Sequence, residues 1–568
     1  MERAGLKWPV LILLFSGPWL PDNAVSQPLS GGAAVDQIRR PGQVELPPPA
    51  FEEPKAAPDV VLPPVPPERG SGRTGPQLRV YVRRIILEGN TVFSSAELAA
   101  ITAPYEGRVI SSDELLELRD KITLHYIEHG YINSGAIIPD QDVIDGVIRL
   151  RIIEGELTSL EINGNQRLRP DCIRQRVLLG SAPPLNVNEL QQQLQLLQEN
   201  PLIDRINAVL APGSRPGESK LDVGVVESRP YQVWLTLDNH RPPSVGATQG
   251  TISGEHLDLT GNGDALRGYY SLTDGLNDYS IDYRLPVTAH DTVIGTYFEK
   301  TTSDVVENPF DALDIKSDSW TLGLLLRQPV YRRPGEEFAL GVVLERKHSE
   351  TSLLGEPFSF AEGVDDGKSD VTALRFTQDW LKRTRNRVLA ARSVFSFGLH
   401  ALGATNNDSK PDGEFFAWLG QFQWAQRLDE GDEIILRTDA QLTQDPLLPM
   451  EKFVVGGADT VRGYRENLLV RDNGLVASIE LRVPVLPDMT GDVRLRLATF
   501  GDYGRSWNHE TTPDHKNIAS AGLGVLMDYQ RLHAQLYWAK AFDHIDNYEQ
   551  DHDLQDDGVS FSVSYVIF

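Results

Sequence analysis

The feature that most constrains this chain is a long C-terminal run in which apolar and polar residues alternate. Between Tyr231 and Phe568 the sequence shows about sixteen such segments of roughly ten residues, separated by turns rich in Gly, Asn, Asp and Pro. Alternation gives a strand one apolar face and one polar face. An even number of these strands is typical of a transmembrane β-barrel, in which one face meets lipid and the other meets the lumen.

A soluble β-sandwich or β-propeller is the alternative for a region made only of strands. The run Leu322–Leu326 fits a lipid-facing strand less well than its neighbours do. The terminal segment 559–568 alternates cleanly and ends on Phe568, which resembles the signal recognised in outer-membrane barrels during assembly. Aromatic residues near segment ends also favour a barrel, because such residues form girdles at membrane interfaces. The girdle candidates are Trp320, Trp380, Trp507 and Tyr529.

The N-terminus has the pattern of a signal peptide over residues 1–26. Basic residues precede the short apolar run Val10–Phe15, and Ala24–Ser26 supplies small residues at a cleavage point. A buried N-terminal helix is the alternative, and interruption by proline disfavours it. Residues 27–78 are dense in proline and indicate an extended linker, in which Ala33–Arg40 predicts at most a short helix. Elsewhere no apolar run approaches about 18 residues, so a membrane would be crossed by strands.

Charge and cysteine content exclude several classes of function. The 568 residues carry a formal net charge of −26, which argues against a nucleic-acid partner because phosphate binding needs a basic surface. The single cysteine, Cys172, excludes an internal disulfide framework and a cysteine-based zinc site. No phosphate-binding loop, nucleophile elbow or nucleophile–base pair is present, so neither an enzyme nor a bound cofactor is expected.

Aspartate-rich loops raise the question of a divalent cation. Asp365-Asp366 and the stretch 551–557 lack the Gly and Glu spacing of a calcium loop, so solvated loops are the expectation. The histidines at 509, 515, 544 and 552 do not fall at metal-ligand spacing on one element. No metal site is predicted.

An internal repeat with a period of about 75 residues precedes the strand-rich region. A strand ends in Gly89-Asn90 in the first copy and in Gly164-Asn165 in the second. Helical patterning, a strand and a final alternating strand follow in both copies. The two copies predict α+β modules over 79–155 and 156–228, with the strand region beginning at 229. They resemble polypeptide-transport-associated (POTRA) domains, and generic α+β domains are the alternative.

The helices of the repeat are expected at 112–129 and 188–198. Asn186, with Glu189 three residues later, is a plausible start for the second of them.

Two short motifs lie far apart in the strand region. Val461-Arg462-Gly463-Tyr464 falls in a long loop, and Phe500-Gly501-Asp502 ends the second strand after that loop. An arginine and an aspartate placed this way are expected to meet inside a barrel, where a buried charge needs a partner. Gly463 would allow a sharp turn at the loop tip, and Tyr464 would pack beside Phe500. A similar string, Arg267-Gly268-Tyr269, lies within an ordinary strand and is not a candidate.

The order of these parts resembles the two-partner secretion transporters, the haemolysin- and filamentous-haemagglutinin-secreting branch of the barrel-assembly superfamily. In that resemblance 461–464 corresponds to the sixth-loop motif after the eleventh strand, and 500–502 to the Phe-x-Asp motif on the thirteenth. The stretch Asp258–Asp264 is similar to the early barrel hairpin of the family. The N-terminus departs from the family, because Ala33–Arg40 is too short to match a plug helix securely.

The resemblance implies a sixteen-stranded pore in the outer membrane of a Gram-negative bacterium, with the modules in the periplasm. An unfolded secreted partner protein would bind the modules by β-augmentation, cross the lumen and emerge at the cell surface. Outer-membrane lipid and the barrel-assembly machinery are the other expected partners. A membrane-protein insertase of the barrel-assembly type shares the loop motif and is the main alternative, and a passive porin would not need the modules.

Overall fold

The computed structural model describes residues 58–63, 79–428, 431–486, 493–513, 516–543, 545 and 551–568. Two small α+β modules precede a closed barrel of sixteen antiparallel strands, which confirms the predicted fold class. The predicted signal peptide and the short helix predicted at 33–40 lie outside the described residues. Of the helices in the described ranges, none is long and apolar enough to cross a membrane.

The first module packs two helices against a three-stranded sheet and a two-stranded ribbon. Its elements are β2 (Arg79–Val82), β3 (Arg84–Glu88), α1 (Ser95–Thr102), the 3₁₀ turn Ala103–Tyr105, β4 (Arg108–Ser111), α2 (Ser112–Glu128), β5 (Gly135–Ile137) and β6 (Val147–Ile153). The sheet order is β3-β6-β5, with β3 and β6 parallel, and β2 pairs with β4 in the ribbon. These elements are preceded by β1 (Asp59–Val61), which belongs to the sheet of the second module.

The second module has the sheet order β1-β8-β9-β7. The strand β1 comes from the proline-rich linker and pairs in parallel with β8, in the register Val60 to Ala208. Val60 and Leu62 pack against the core of the module. The linker therefore supplies an edge strand that its composition does not predict. The other elements are β7 (Glu156–Asn163), α3 (Pro170–Leu178), α4 (Val187–Gln198), β8 (Ile203–Pro212) and β9 (Glu218–Glu227).

Helix capping explains where the longer helices begin. Ser111 caps α2 with a capping box, since its hydroxyl accepts from Glu114 N while its own N–H donates to the Glu114 carboxylate at 2.8 Å. Asn186 caps α4 by accepting from Asn188 N. The helices α1 and α3 were not among the predicted elements. Each is short and has two buried positions, too few to give a helical period.

The repeat is visible in the contacts that follow each Gly-Asn pair. Gly89 and Gly164 have φ of +92° and +81°, and an added Cβ would approach a carbonyl oxygen of the final strand at 2.6 and 2.5 Å. The next backbone N–H groups donate to one carboxylate in each copy. Glu154 accepts from Thr91 N and Val92 N at 2.7 and 2.9 Å, and Glu227 does the same for residues 166–168. A glutamate thus fixes the loop that follows Glu88 in the first module and the loop that follows Asn163 in the second.

The barrel closes between its first and last strands, which pair from Trp234 to Val566 through Asp238 to Ser562. Its sixteen strands are β10 (Tyr231–Asp238), β11 (Gln249–His256), β12 (Ala265–Leu272), β13 (Leu276–Pro286), β14 (Val293–Asp304), β15 (Lys316–Arg333), β16 (Glu336–Leu353), β18 (Lys368–Thr384), β19 (Arg387–Gly398), β20 (Phe416–Arg427), β21 (Glu433–Thr443), β24 (Asn473–Leu486), β25 (Val493–Trp507), β26 (Asn517–Tyr529), β27 (Leu532–Ala541) and β28 (Val559–Val566). Three short strands are additional, namely β17 (Glu356–Pro357), β22 (Phe453–Val455) and β23 (Leu469–Arg471), together with 3₁₀ turns at Pro243–Val245, Asp311–Leu313 and Pro449–Glu451.

The apolar run in β15 fits a barrel strand after all. Leu322, Leu324 and Leu326 are exposed on the outer face, while Gly323 between them is buried. A Cβ on Gly323 would displace the ring of Tyr297 on the neighbouring strand, so the glycine leaves room for that ring in the lumen. Leu325 faces inward and lines the lumen cavity, so the run is apolar on its outer face and departs from alternation at one inner position, as its sequence indicates.

The second module docks onto the turns at the base of the barrel. Arg176 of α3 donates to Asp291 in the turn after β13, at 2.6 and 3.0 Å. Arg169 N donates to Gly261 O in the turn after β11, within the predicted hairpin Asp258–Asp264. Glu199 accepts from Gly335 N in the turn after β15, at 3.1 Å. These contacts join one module to three successive turns.

The glutamate of the first module makes a testable contribution to stability. Burial opposes ionisation of Glu154, but hydrogen bonds from Thr91, Val92 and Tyr126 outweigh it and lower the pKa of this carboxyl from 4.5. Because the folded pKa is lowered, the stabilisation is present above about pH 4.5 and is lost as pH falls through the folded value. We expect Glu154→Gln to lower the local opening free energy by about 1–2 kcal/mol at pH 7.

Hydrogen exchange of peptides from 79–155 in the full-length protein, corrected for intrinsic rates, measures this effect. The pH dependence below 4.5 should be shallower in Glu154→Gln than in the unaltered chain. Asp142→Asn, which changes an exposed carboxylate in the loop between β5 and β6, is the matched control. Equal exchange in Glu154→Gln and the control would contradict the assignment.

Candidate functional site

The long loop between β21 and β24 lies inside the barrel, and we name residues 444–472 the inner loop. Its limbs pair as the hairpin of β22 and β23. Phe453, Val455 and Val461 are fully buried and pack with wall residues from β19, β20, β24 and β26. The inner loop therefore fills part of the lumen instead of projecting from the surface. It follows the eleventh barrel strand, where sequence analysis places the sixth loop.

Arg462 at the tip of the inner loop binds the wall through a bidentate contact. Its Nε and Nη2 donate to the two oxygens of Asp502, each at 2.8 Å, and its backbone N–H donates to Asp502 at 3.1 Å. The Asp502 side chain is fully buried and that of Arg462 is 8% exposed. Such a planar fork is specific to arginine, because lysine offers only a point charge. The structure thus brings together the two residues that the motifs single out.

A second carboxylate completes the arginine site. Glu480 on β24 accepts from Arg462 Nη1 at 2.6 Å, and also from Arg482 Nε at 2.6 Å and the Tyr537 hydroxyl at 3.0 Å. Two arginines and two carboxylates balance in charge. Neither sequence motif includes Glu480, although its inward parity with Ser478 and Arg482 on a barrel strand is a signal that could have identified it.

The Phe500 ring packs against the guanidinium of Arg462. The Arg462 guanidinium lies 3.4 Å from the Phe500 ring centroid and 4.9 Å from that of Tyr537. A cation over a desolvated aromatic face gains about 2 kcal/mol. Phe500 and Asp502 point inward and Gly501 faces the other side of the sheet, which explains the spacing of Phe-x-Asp. Asp502 does not end its strand, because β25 continues to Trp507.

Tyr464 packs elsewhere than expected. Its hydroxyl donates to Ala519 O at 2.9 Å and accepts from Asp543 N at 3.1 Å. It belongs to the apolar cluster of Val455 and Val461, whereas Phe500 packs with Tyr537. The prediction that Tyr464 packs beside Phe500 was wrong, because the guanidinium of Arg462 takes that place.

Glycines let the inner loop approach the wall closely. Gly463 has φ of +89°, and a Cβ there would lie 2.8 Å from Ala539 Cβ on the fifteenth strand. On the wall, a Cβ at Gly504 would lie 2.4 Å from Val455 and 2.8 Å from Val461. Real side chains at either position would push the loop tip away from the carboxylates.

The next residues of the inner loop bind the outer loops of the barrel. Arg465 donates to Asp556 at 2.6 and 2.7 Å and to Glu307 at 2.7 Å. Glu466 N donates to Gln555 Oε1, and Gln555 Nε2 donates to Asn239 O at 2.7 Å. The aspartate-rich stretch 551–557 is therefore occupied partly by loop contacts. Among the described residues no group of three His, Cys, Asp or Glu is placed to hold a metal ion.

The C-terminal residue lies beyond the last strand. Phe568 is 54% exposed, and its ring stands edge-on to that of Tyr231 at 6.3 Å. It is accessible, as a recognition signal would require, while its role in assembly stays a prediction.

A double-mutant cycle tests whether Arg462 and Asp502 hold the inner loop. Removing one partner from a desolvated pair costs about 3–5 kcal/mol because the other charge stays behind. We expect Arg462→Ala and Asp502→Ala each to raise hydrogen exchange in peptides from 445–472. The loss of opening free energy in the double variant should be well below the sum of the losses in the two single variants. Arg462→Lys should be intermediate, since it keeps the charge and loses the fork.

Retention of heat-modifiable migration verifies that the barrel of each variant is intact. Arg505→Ala is the matched control, because Arg505 lies on the same strand as Asp502 but faces outward beside Trp507. Additive losses in the double variant would mean that the contact contributes nothing to loop position.

Comparison with known families gives two matches. Residues 217–527 match the family described as haemolysin secretion/activation protein ShlB/FhaC/HecB, and residues 80–155 match the POTRA domain, ShlB-type. The first match alone spans more than half of the chain.

Curated relatives are similar over most of their length. The outer membrane transporter CdiB of Dickeya dadantii (strain 3937) is 22% identical over 460 residues, with 76% of each chain covered. CdiB of Escherichia coli O6:K15:H31 is 24% identical over 463 residues, covering 79% of this chain and 76% of the relative. The heme/hemopexin transporter protein HuxB of Haemophilus influenzae (strain ATCC 51907) is 20% identical over 437 residues, with 74% of each covered.

Solved structures share the fold. CdiB from Escherichia coli superposes with a TM-score of 0.65 at 20% identity, covering 89% of this chain and 93% of that one. BamA from Haemophilus ducreyi lacking POTRA domains 1–3 gives 0.53 at 14% identity, covering 86% and 100%. At these identities the likeness concerns architecture alone.

Proposed function

Because the chain belongs to the haemolysin secretion/activation family, we propose that it is an outer-membrane pore that exports a large partner protein by two-partner secretion. The barrel spans the outer membrane and the modules lie in the periplasm. The observation that carries the proposal is the inner loop, held within the lumen by Arg462 above a module docked on the barrel base. A passive porin needs neither feature.

The lumen limits what can pass. Beside the inner loop a cavity of about 750 Å³ remains, lined by inward side chains of both charge signs such as Glu299, Asp379 and Arg392. A cavity of this size holds an extended stretch of polypeptide and excludes a folded domain. With the inner loop in place there is no room for a folded domain, which supports export of an unfolded partner. Folding of that partner outside would supply direction without an enzymatic step and deliver it in its active form. Outward apolar residues such as Leu324 meet outer-membrane lipid, and Phe568 addresses the chain to the barrel-assembly machinery.

The sheet edge of the second module is the proposed entry point. An added strand pairs there already, since β1 lies in parallel register along β8. This pairing supports recognition by β-augmentation, in which backbone groups bind and side chains matter little. A partner segment that used β8 would have to displace β1, which contributes only three residue pairs. In the first module β5 is the corresponding edge, and within the described residues no strand covers it.

A reversible disulfide tests the exchange. Asp59 and Asn207 are register partners and both are exposed, so cysteines at these positions can join β1 to β8. In a Cys172→Ser background, oxidised Asp59→Cys/Asn207→Cys should lower secretion of the partner at least about tenfold, and reduction should restore it, because a strand tie blocks augmentation. Asp59→Cys alone is the control. Normal secretion by the oxidised pair would remove the β8 edge from the mechanism.

Conductance tests the position of the inner loop in the membrane. Shortening the stretch 445–472 should raise single-channel conductance in planar bilayers severalfold, because the loop obstructs the lumen. Unchanged current would place the loop outside the path of ions.

Deleting 79–227 should leave a heat-modifiable barrel and abolish secretion of the partner. If that deletion instead impaired insertion of other outer-membrane proteins, the insertase alternative would gain support.

A further inference from the structure

A second buried charge cluster joins the inner loop to a different part of the wall. Arg375 on β18 donates to Glu451 of the inner loop at 2.8 and 3.0 Å and to Glu345 on β16 at 2.6 Å. Lys347 on β16 lies 3.0 Å from Glu451. The side chains of Arg375 and Glu451 are each 2% exposed. Neither Arg375 nor Glu451 belongs to the motifs that mark the arginine site.

Only one member of the cluster belongs to the loop. Glu345, Lys347 and Arg375 are fixed to the seventh and eighth barrel strands, while Glu451 lies in the 3₁₀ turn Pro449–Glu451. With Glu451 in place, two cations face two carboxylates. Without it, Arg375 and Lys347 share Glu345 alone, which leaves a surplus positive charge in a buried site. The wall residues alone therefore carry an excess positive charge, which the carboxylate of the loop neutralises.

Local packing fixes the carboxylate. Leu447, Leu448 and Met450 pack with Val371 and Ala373 of the eighth strand. Lys347 Nζ also donates to Met450 O at 3.4 Å, and Arg375 Nη1 donates to Ser396 on the ninth strand at 2.6 Å. The apolar contacts and the ion cluster hold the same short stretch of the loop. This stretch is separate from the tip, which binds the twelfth and thirteenth strands.

We propose that Glu451 and Arg375 are positioning residues that form a second anchor of the inner loop, and that either anchor alone keeps the loop inside the barrel. The inference rests on the proposed function only in treating the loop as the element that obstructs transport. Opening then requires both clusters to separate from the wall strands, whereas the Arg465 contacts join the inner loop to outer loops and not to a wall strand. Loss of one cluster leaves the loop tethered at the other, as a flap that moves about its remaining attachment.

The anchors are tested in planar bilayers without any partner protein. The variants are Glu451→Gln, Arg462→Ala and their combination, with Arg496→Gln as the matched control. Arg496 is also an inward arginine of the barrel wall, but it pairs with Glu433 and Asp528 of nearby wall strands and does not line the cavity described above. Hydrogen exchange of peptides from 445–472 is measured on the same samples, and heat-modifiable migration verifies each barrel.

We expect each single variant to raise occupancy of the high-conductance state by about threefold or less. The double variant should raise it by about thirtyfold or more, beyond the product of the singles, because neither anchor then remains. Arg375→Gln should raise occupancy of the high-conductance state as Glu451→Gln does, without altering the loop sequence. Arg375→Lys keeps the positive charge and should return this occupancy most of the way to that of the unaltered protein. The proposal would be overturned if Glu451→Gln matched Arg496→Gln in current and exchange, or if the double variant equalled the product of the singles.

Secretion of the partner is scored as a separate arm. Channel synergy in a protein that exports no partner would support the anchors and defeat the proposed function. Export by the unaltered protein, combined with no effect of Glu451→Gln on channels or exchange, would defeat the anchors and leave the proposed function standing.

Discussion

A guanidinium group removed from bulk water needs carboxylates at hydrogen-bond distance, and this requirement organises the lumen. Arg462 finds them on two neighbouring strands, where Ser478 and Asp502 are cross-strand partners and Glu480 pairs with Phe500. Leaving a buried charge without its partner costs several kcal/mol, so the loop tip is confined to one place on the wall. The close glycine contacts at Gly463 and Gly504 follow from that confinement, because the tip can reach the carboxylates only if the backbone comes near.

Much of this architecture follows from local sequence patterns. A barrel strand repeats every two residues along its whole length, so alternation identifies the strands even where each segment is weak. Gly-Asn pairs identify the modules because each needs a left-handed glycine at an equivalent turn. Arg462 and Asp502 follow from one argument about charge, since a loop arginine inside a barrel needs an acid on the wall.

Other features depend on contacts that no local pattern carries. The Arg375–Glu451 pair joins residues 76 positions apart, and charged residues are common in a polar lumen, so neither one stands out. The strand β1 is three residues long within a proline-rich linker, and pairing with β8 makes it a strand. The two motifs predict that Tyr464 packs beside Phe500, whereas the Arg462 guanidinium contacts the Phe500 ring through a cation–π interaction. Tertiary context decided each of these cases.

The docking of the second module has a geometric consequence for transport. Arg169, Arg176 and Glu199 hold the module to the turns that join strands two to seven of the barrel. The inner loop, in contrast, contacts the wall along strands seven to fifteen, and Arg465 adds ion pairs to two outer loops. The open cavity reaches the wall mainly where the module docks. The lumen is therefore divided unevenly: the inner loop occupies one flank, and the open cavity lies along the flank whose turns carry the second module.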